Sequence, residues 1–247
     1  MNREELIAKA NEGDVGAMMQ LVEMYIDEKD WNEATDWADK AAETGDVNAM
    51  YKAVNLHSMR MHSLVALGML DGLMPKDAQA VQENAAVLIG ACRKGLVDLN
   101  EDIYSHLLST LRDGIYYEAI SCYYSEPSDY ARIIHLLQSV DSAREQFLCG
   151  CAFFDTKRYD EALKKLNEAY QDGEYINAEK KTPEEGVFAN AMHVFSDMER
   201  INGDLDKAVM ILNRAIEGVS DEEMKARLRI ELGKYQKKMF GGWKYMG

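Results

Sequence analysis

Two pairs of side chains in this sequence invite a search for metal or redox chemistry. His57 and His62 are five residues apart, whereas the helical zinc motif needs a spacing of four with a Glu beside the first His. We therefore predict ordinary surface or groove histidines. Cys149 and Cys151 flank Gly150, and side chains two residues apart point to different faces of a helix. A redox pair needs Cys-x-x-Cys, so we predict buried structural thiols and no metal site.

A seven-residue motif occurs twice in the sequence, as EGDVGAM and, thirty-two residues later, as TGDVNAM. A Gly-Asp pair occurs in metal and phosphate loops, and also where one helix ends and the next begins. We predict the second case: Gly13 and Gly45 end one helix, and Asp14 and Asp46 cap the next. The spacing is close to the length of one helix pair. Whether Met18 lies in the core or in a groove stays open.

The sequence contains no Gly-Lys-Ser phosphate loop, no Gly-x-Ser-x-Gly elbow and no dinucleotide fingerprint. Its carboxylates gather in runs such as TPEE and SDEE, where they stabilise the start of a helix. We therefore predict a protein that is not an enzyme and has no cofactor. A hydrolase whose His and carboxylate residues meet only in space remains an open alternative.

Charge and hydropathy limit the classes of partner and the location that the sequence allows. The 247 residues carry 43 acidic and 28 basic side chains, a formal net charge of -15. This balance disfavours phosphate backbones and anionic membranes, so we expect a protein or peptide partner, neither nucleic acid nor membrane. No run of eighteen apolar residues occurs, the start is charged, and the four cysteines lack a disulfide-framework spacing. These features predict a cytoplasmic protein of undetermined oligomeric state.

Three segments share a spacing that predicts one packed face of a helix. In each, a bulky residue precedes an alanine by three positions, and a second alanine follows seven positions later. The small side chains let a neighbouring helix approach closely. With only 3 prolines in the chain, helix is favoured almost throughout. The triplets are Trp31, Ala34 and Ala41; Tyr159, Ala162 and Ala169; and Leu205, Ala208 and Ala215.

These segments resemble the tetratricopeptide repeat, in which a small residue and an aromatic on one helix face alanines on the next. Residues 147–170 match it best, with Cys149 at the position of the usual Leu. Residues 14–49 resemble the longer Sel1-like variant, although Val22 replaces its usual Gly and the loop between the helices is short. The positions that carry the first resemblance are Gly150, Phe153, Ala162, Leu166 and Ala169.

The resemblance implies an all-α fold, a right-handed α-α superhelix or solenoid of about six antiparallel helix pairs. We predict one helical-repeat domain over residues 1–247. It begins with a Sel1-like part (1–58), continues with irregular or divergent repeats (59–113) and tetratricopeptide-like repeats (114–219), and ends with a capping helix and aromatic tail (220–247). Thr182 and Ser220 are predicted N-caps, and residues 171–181 a loop.

The implied function is a non-catalytic adaptor or scaffold, as is common among bacterial proteins of this kind. It would bind a peptide segment or a partner helix in a concave groove lined by the first helix of each pair. A small-ligand or peptide sensor with an enclosed pocket is the alternative. The candidate groove residues are Met18, Gln20, Glu23, Asn48, Lys52, Asn55, Glu118, Tyr123, Asn190 and His193.

The C-terminal FGGWKYMG adds two aromatic candidates, Trp243 and Tyr245. Gly241 and Gly242 must break the preceding helix. Exposed aromatic side chains usually dock on apolar surface, so the tail either packs back on the last helix pair or enters a groove of this chain or of a neighbour.

Overall fold

The structure is a computed structural model that describes residues 2–70, 72–172, 183–239 and 241–247. Twelve helices and two short strands occur in these ranges. The chain divides into two compact units, unit 1 (Met1–Glu118) and unit 2 (Ala119–Gly247). Unit 1 contains α1 (Arg3–Asn11), α2 (Val15–Asp27), α3 (Trp31–Ala42), α4 (Val47–Ala66) and α5 (Leu73–Arg93), and α6 (Glu101–Tyr124) crosses the boundary. Unit 2 contains α7 (Tyr130–Leu137), α8 (Ala143–Asp155), α9 (Tyr159–Asp172), α10 (Pro183–Ile201), α11 (Leu205–Gly218), α12 (Glu222–Leu232), β1 (Tyr235–Lys237) and β2 (Trp243–Tyr245).

The two repeated Gly-Asp pairs lie at helix boundaries, as predicted. Gly13 and Gly45 have φ values of 93° and 84°, a backbone conformation that glycine adopts without strain. The Asp14 carboxylate accepts a hydrogen bond from the backbone N–H of Ala17 at 3.0 Å, at the start of α2. Asp46 caps α4 in the same way, at 2.9 Å. Each cap satisfies an N–H group that the first helical turn leaves without a partner.

In unit 1, α1 to α4 pack successively around an apolar core. The predicted small residues Ala34 and Ala41 on α3 are fully buried, as are Leu21 and Val22 on α2. Met18 is also buried, with 6% of its surface exposed. Its prediction as a groove residue is therefore corrected: the side chain fills the α2–α3 core and offers little surface to a partner.

Long helices follow in unit 1. They are α4 with 20 residues, α5 with 21 and α6 with 24, and they cover most of residues 59–113. Ala85 of α5 and Leu107 of α6 share one buried cluster. Gln82 of α5 donates to the carbonyl of Gly114 of α6 at 3.2 Å. This region, predicted as irregular or divergent repeats, is thus built from regular helices longer than those of the repeats around it.

Unit 2 contains the antiparallel pairs α8–α9 and α10–α11, and α8 also packs beside α10. The predicted alanines Ala162 and Ala169 of α9 and Ala208 and Ala215 of α11 are buried. Helix α12 then packs on α11. The all-α prediction of antiparallel helix pairs with alanines between them is confirmed.

The last helix ends at Leu232, earlier than the predicted break at Gly241 and Gly242. Beyond it β1 and β2 form an antiparallel hairpin in which Trp243 lies opposite Lys237. The rings of Tyr235 and Tyr245 contact each other with centroids 5.2 Å apart, and the Arg200 guanidinium lies 4.4 Å from the Tyr245 ring centre. Because Arg200 belongs to α10, the aromatic tail packs on its own unit.

The N-cap of α12 differs by one residue from the prediction. Asp221, and not Ser220, accepts a hydrogen bond from the backbone N–H of Met224, at 2.9 Å. The other predicted cap, Thr182, and most of the predicted loop 171–181 lie outside the described residues.

We expect Gly150→Ala in α8 to destabilise the chain by about 1–3 kcal/mol, because an added Cβ would lie 2.6 Å from Cγ of the Leu166 side chain. The matched control is Gly90→Ala in α5, where no atom lies within 4 Å of the added Cβ. That variant should gain about 0.5–1 kcal/mol through helix propensity. Urea unfolding followed by circular dichroism measures both. Equal stability of the two variants would show that the α8–α9 approach does not require a glycine.

Candidate functional site

A groove in unit 2 runs between α10 and α12 and has a volume of about 360 Å³. Each helix contributes residues at spacings of zero, three, four and seven, so the groove uses one continuous face of each helix. Its lining residues are Gly186, Ala189, Asn190 and His193 from α10, and Met224, Arg227, Leu228 and Glu231 from α12. Two of these, Asn190 and His193, are predicted groove residues.

The floor of the groove is apolar and closely packed. Ala189 and Leu228 are 8% and 4% exposed, and Met224 is half-buried between the helices. A Cβ at Gly186 would lie 2.6 Å from the Tyr124 hydroxyl oxygen, so a larger residue here would displace the Tyr124 side chain. The side chain at the end of α6 therefore packs closely on α10 next to the floor.

A hydrogen bond at one side of the groove joins two predicted residues. Asn190 Nδ2 donates to the Tyr123 hydroxyl oxygen at 2.5 Å, and it also lies 3.8 Å from the sulfur of Cys151. Burial raises the pKa of the Tyr123 hydroxyl well above its usual value, so this group stays neutral. The Asn190 side chain is consequently fixed in orientation beside the groove.

The other side of the groove carries charges of both signs. His193 Nε2 lies 3.8 Å from carboxylate oxygens of both Asp197 and Glu231. Arg227 forms a surface ion pair with Glu223 at 2.6 Å, and its side chain remains 75% exposed. The groove thus combines an apolar floor with donors and acceptors that solvent reaches.

Four predicted residues of unit 1 lie on the first helices α2 and α4. Gln20 and Asn48 are exposed. Glu23 and Lys52 form an ion pair at 2.8 Å that joins the two helices, with the carboxylate largely exposed. None of the four lines the groove between α10 and α12 or the groove that Trp31 and Met59 line in unit 1.

Two further predictions in unit 1 fall on residues that bind other helices. Asn55 Oδ1 lies 2.9 Å from His106 Nε2. Glu118 is only 4% exposed and accepts a hydrogen bond from Gln82 Nε2 at 2.7 Å. The prediction of Glu118 as a partner-binding residue is therefore corrected, because its carboxylate lies inside the packing of α5 against α6.

A buried charged cluster in unit 1 was missed by the sequence interpretation. His57 is 6% exposed, so its prediction as a surface or groove histidine is wrong. Its Nδ1 lies 2.6 Å from an Asp77 oxygen, and its Nε2 lies 2.8 Å from an Asp39 oxygen. Arg60 Nε approaches the second Asp77 oxygen at 3.6 Å. The two aspartates lie on α5 and α3, eighteen or more residues from His57, and no local spacing marks such a pair.

The two carboxylates decide the protonation of His57. Burial lowers the pKa of the imidazole, but the hydrogen bonds to Asp39 and Asp77 outweigh burial and raise it to about 9. The ring is therefore charged at neutral pH, and both of its N–H groups donate. An imidazolium with both nitrogens engaged has no lone pair for a metal ion or for a general base.

The remaining sequence candidates for chemistry are buried thiols, as predicted. Cys149 and Cys151 are fully buried, and burial raises the pKa of Cys149 to about 11 and that of Cys151 further. Within the ranges that the structure describes, no group of three or more His, Cys, Asp or Glu side chains could hold a metal ion. In the same ranges no helix combines the length and the apolar character needed to cross a membrane.

The buried alanines between paired helices, and the side-by-side first helices α8 and α10, define a tetratricopeptide-like helical-repeat fold. No family model matches the chain, and no curated protein matches it significantly. Solved structures that are similar to this chain at low identity include YrrB, MamA and Acl4. YrrB, described as a TPR protein with an unusual peptide-binding site, is 14% identical over 93% of this chain and 98% of its own, with a TM-score of 0.45.

The second similar structure is a protein named MamA, 15% identical over 86% of this chain and 94% of its own, with a TM-score of 0.39. The third is Acl4, described as an assembly chaperone of RpL4, 13% identical over 94% of this chain and 97% of its own, with a TM-score of 0.43. These likenesses concern the fold alone.

We expect the stabilising contribution of His57 to depend on pH. Its folded pKa is raised from 6.5 to about 9, so the contribution is full below pH 6.5 and is lost as the pH rises through about 9. The free energy of unfolding of the wild type should exceed that of His57→Gln, and this difference should shrink by up to about 3 kcal/mol between about pH 6 and about pH 10.

Urea unfolding followed by tryptophan fluorescence measures this difference. A Trp243→Phe background leaves Trp31 and Trp37, both in unit 1, as the reporters. The control is His135→Gln, at an exposed histidine of α7. A difference for His57→Gln that stays constant over this pH range would contradict the charged cluster.

Proposed function

We propose that this protein is an interaction module that binds a peptide segment of a partner protein in the groove between α10 and α12. The proposal rests on the groove itself, in which one face of α10 and one face of α12 enclose an apolar floor next to charged side chains. Concave sites with an apolar lining and a few placed polar groups are where ligands bind most often in proteins.

The composition of the groove favours a peptide. A peptide backbone carries a donor and an acceptor at almost every residue, and its side chains add apolar surface. The half-buried Met224 offers most of the apolar surface of the floor, beside the nearly buried Ala189 and Leu228, which leaves room for one apolar side chain of the ligand. Arg227 supplies an exposed donor and Glu231 an acceptor on successive turns of the same helix face. In such a groove, apolar side chains of the peptide supply most of the affinity, and the polar groups at the edge fix the direction in which the peptide binds.

In the cell, such a module would act as an adaptor or scaffold. We also predict that the protein is not an enzyme and that it is cytoplasmic. The small-ligand sensor with an enclosed pocket stays an alternative prediction. A thermal shift with metabolites, but with no peptide, would favour the sensor.

The test is a selection of random twelve-residue peptides displayed on phage, with the full chain as the target. Selected peptides are then synthesised and their Kd values measured by fluorescence anisotropy. We expect Arg227→Glu to weaken their binding about tenfold, which corresponds to about 1.4 kcal/mol, because it reverses a charge at the rim.

The matched control is Arg229→Glu. Arg227 and Arg229 lie on the same helix, both are largely exposed, and each pairs with a glutamate of the first turn of α12, but only Arg227 lines the groove. The control should change Kd less than about twofold. Peptides that bind both variants equally, or a selection that enriches none, would count against the α10–α12 groove.

A further inference from the structure

Helix α4 of unit 1 exposes an apolar stripe that the proposed function does not use. Met59, Ser63 and Leu67 follow one another at intervals of four residues, so they share one side of the helix and of its C-terminal end. Met59 is 54% exposed and Leu67 is 74% exposed. Trp31, the first residue of α3, is 40% exposed. Large apolar side chains that lie together on a surface often mark an interaction site.

Trp31, Met59 and Ser63 line a second groove, which we call the α3–α4 groove, and Leu67 lies one turn beyond Ser63 on the same side of α4. The groove has a volume of about 350 Å³ and is lined by Trp31, Asn32, Met59, Arg60, Ser63 and Leu64. The sequence interpretation assigned Trp31 to the packed face of a repeat, together with Ala34 and Ala41. The structure instead leaves a large part of the indole in solvent, while both alanines are buried.

The buried cluster holds the floor of the α3–α4 groove. Arg60 lines the groove, and its guanidinium Nε lies 3.6 Å from the carboxylate of Asp77, which His57 also binds. The Arg60 side chain is only 17% exposed. The wall formed by α4 is therefore fixed before any partner arrives, which lowers the entropy cost of binding.

Unit 1, which contains this groove, has an excess of negative charge. Unit 1 contains 21 Asp and Glu residues against 10 Lys and Arg residues. Asp30 caps α3 directly before Trp31, and Glu33 lies in the same first turn, with both residues exposed. The cation of the groove, Arg60, is turned to Asp77. A ligand that covers the exposed part of Trp31 therefore approaches the two carboxylates at the start of α3.

We propose that the α3–α4 groove docks a basic amphipathic helix of a partner protein. Its apolar face covers Trp31, Met59 and Leu67, and its Lys and Arg side chains approach the carboxylates of the α3 start. A second copy of this chain fits less well, because two units with the same excess of negative charge repel each other. This proposal is independent of the peptide groove in unit 2.

The test uses a fluorescently labelled model peptide of fourteen residues, LKKLLKLLKKLLKL, with the full chain. Two further peptides separate the contributions: one has Glu in place of Lys, and one has Ser in place of Leu. We expect the Lys/Leu peptide to bind in fluorescence anisotropy, more weakly at high salt, and each of the other two at least about tenfold more weakly.

A pair of double variants locates the site. Met59→Ser with Leu67→Ser should weaken the Lys/Leu peptide about tenfold or more. Val87→Ser with Leu96→Ser is the matched control in the same unit, since these residues are 53% and 74% exposed and neither lies on α3 or α4. The control should change Kd less than about twofold, and circular dichroism checks that both variants fold.

Three results would overturn the proposal. The first is a Lys/Leu peptide that does not bind, or that binds both double variants equally. The second is equal binding of the Glu/Leu or the Lys/Ser peptide, which would remove charge complementarity or apolar contact from the recognition. The third is a dimer in sedimentation velocity that the Met59→Ser, Leu67→Ser variant converts to a monomer, because a second copy would then be the occupant.

Discussion

Small side chains at the lines of closest approach hold the helix pairs of both units together. Ala34 and Ala41 of α3 are fully buried against neighbouring helices, and Ala162 of α9 is buried in the same way. Gly150 shows how close the approach is, since a single added carbon would overlap Leu166. Interiors pack at nearly crystalline density, so the size of one side chain at such a point fixes the distance between two helices.

This spacing determines which helix faces remain available in unit 2. Because α9 packs on α8 and α11 packs on α10, the first helices α8 and α10 lie beside each other. Helix α8 is buried along most of its length, so the face that lines the groove belongs to α10. Helix α12 continues this arrangement beside α10 and closes the groove. The site therefore depends on helix packing as much as on its own polar residues.

Helix α4 of unit 1 combines a buried charged face with an exposed apolar one. His57 and Arg60 hold aspartates of α3 and α5, while Met59 and Leu67 remain in solvent. These four residues depart from the usual distribution, in which charged side chains face water and apolar ones the core, although α4 also buries apolar residues such as Val54 and Met61. The buried charges are stable because they are paired and hydrogen-bonded. Met59 and Leu67 have no such stabilising contacts for their exposed surface, so we propose that a partner covers them.

The sequence predicted the half of the peptide groove that α10 contributes. Asn190 and His193 follow from the assignment of α10 as a first helix, whereas the α12 residues were missed because that helix was interpreted only as a cap. Their spacing of zero, three, four and seven was present in the sequence and would have marked a second face. The aromatic tail was seen to need a docking site, but its hairpin with β1 and its contact with Arg200 were not predicted.

The sequence by itself determined what acts within one helical turn or at one spacing: the Gly-Asp boundaries, the capping carboxylates and the alanines that mark paired helices. Only the tertiary structure decided that Met18 and Glu118 are buried, and that His57 meets two aspartates from other helices. The reason is physical. A cap is satisfied by a neighbour three residues away, but burial depends on the rotation of each helix against partners distant in sequence, where many small packing energies are summed.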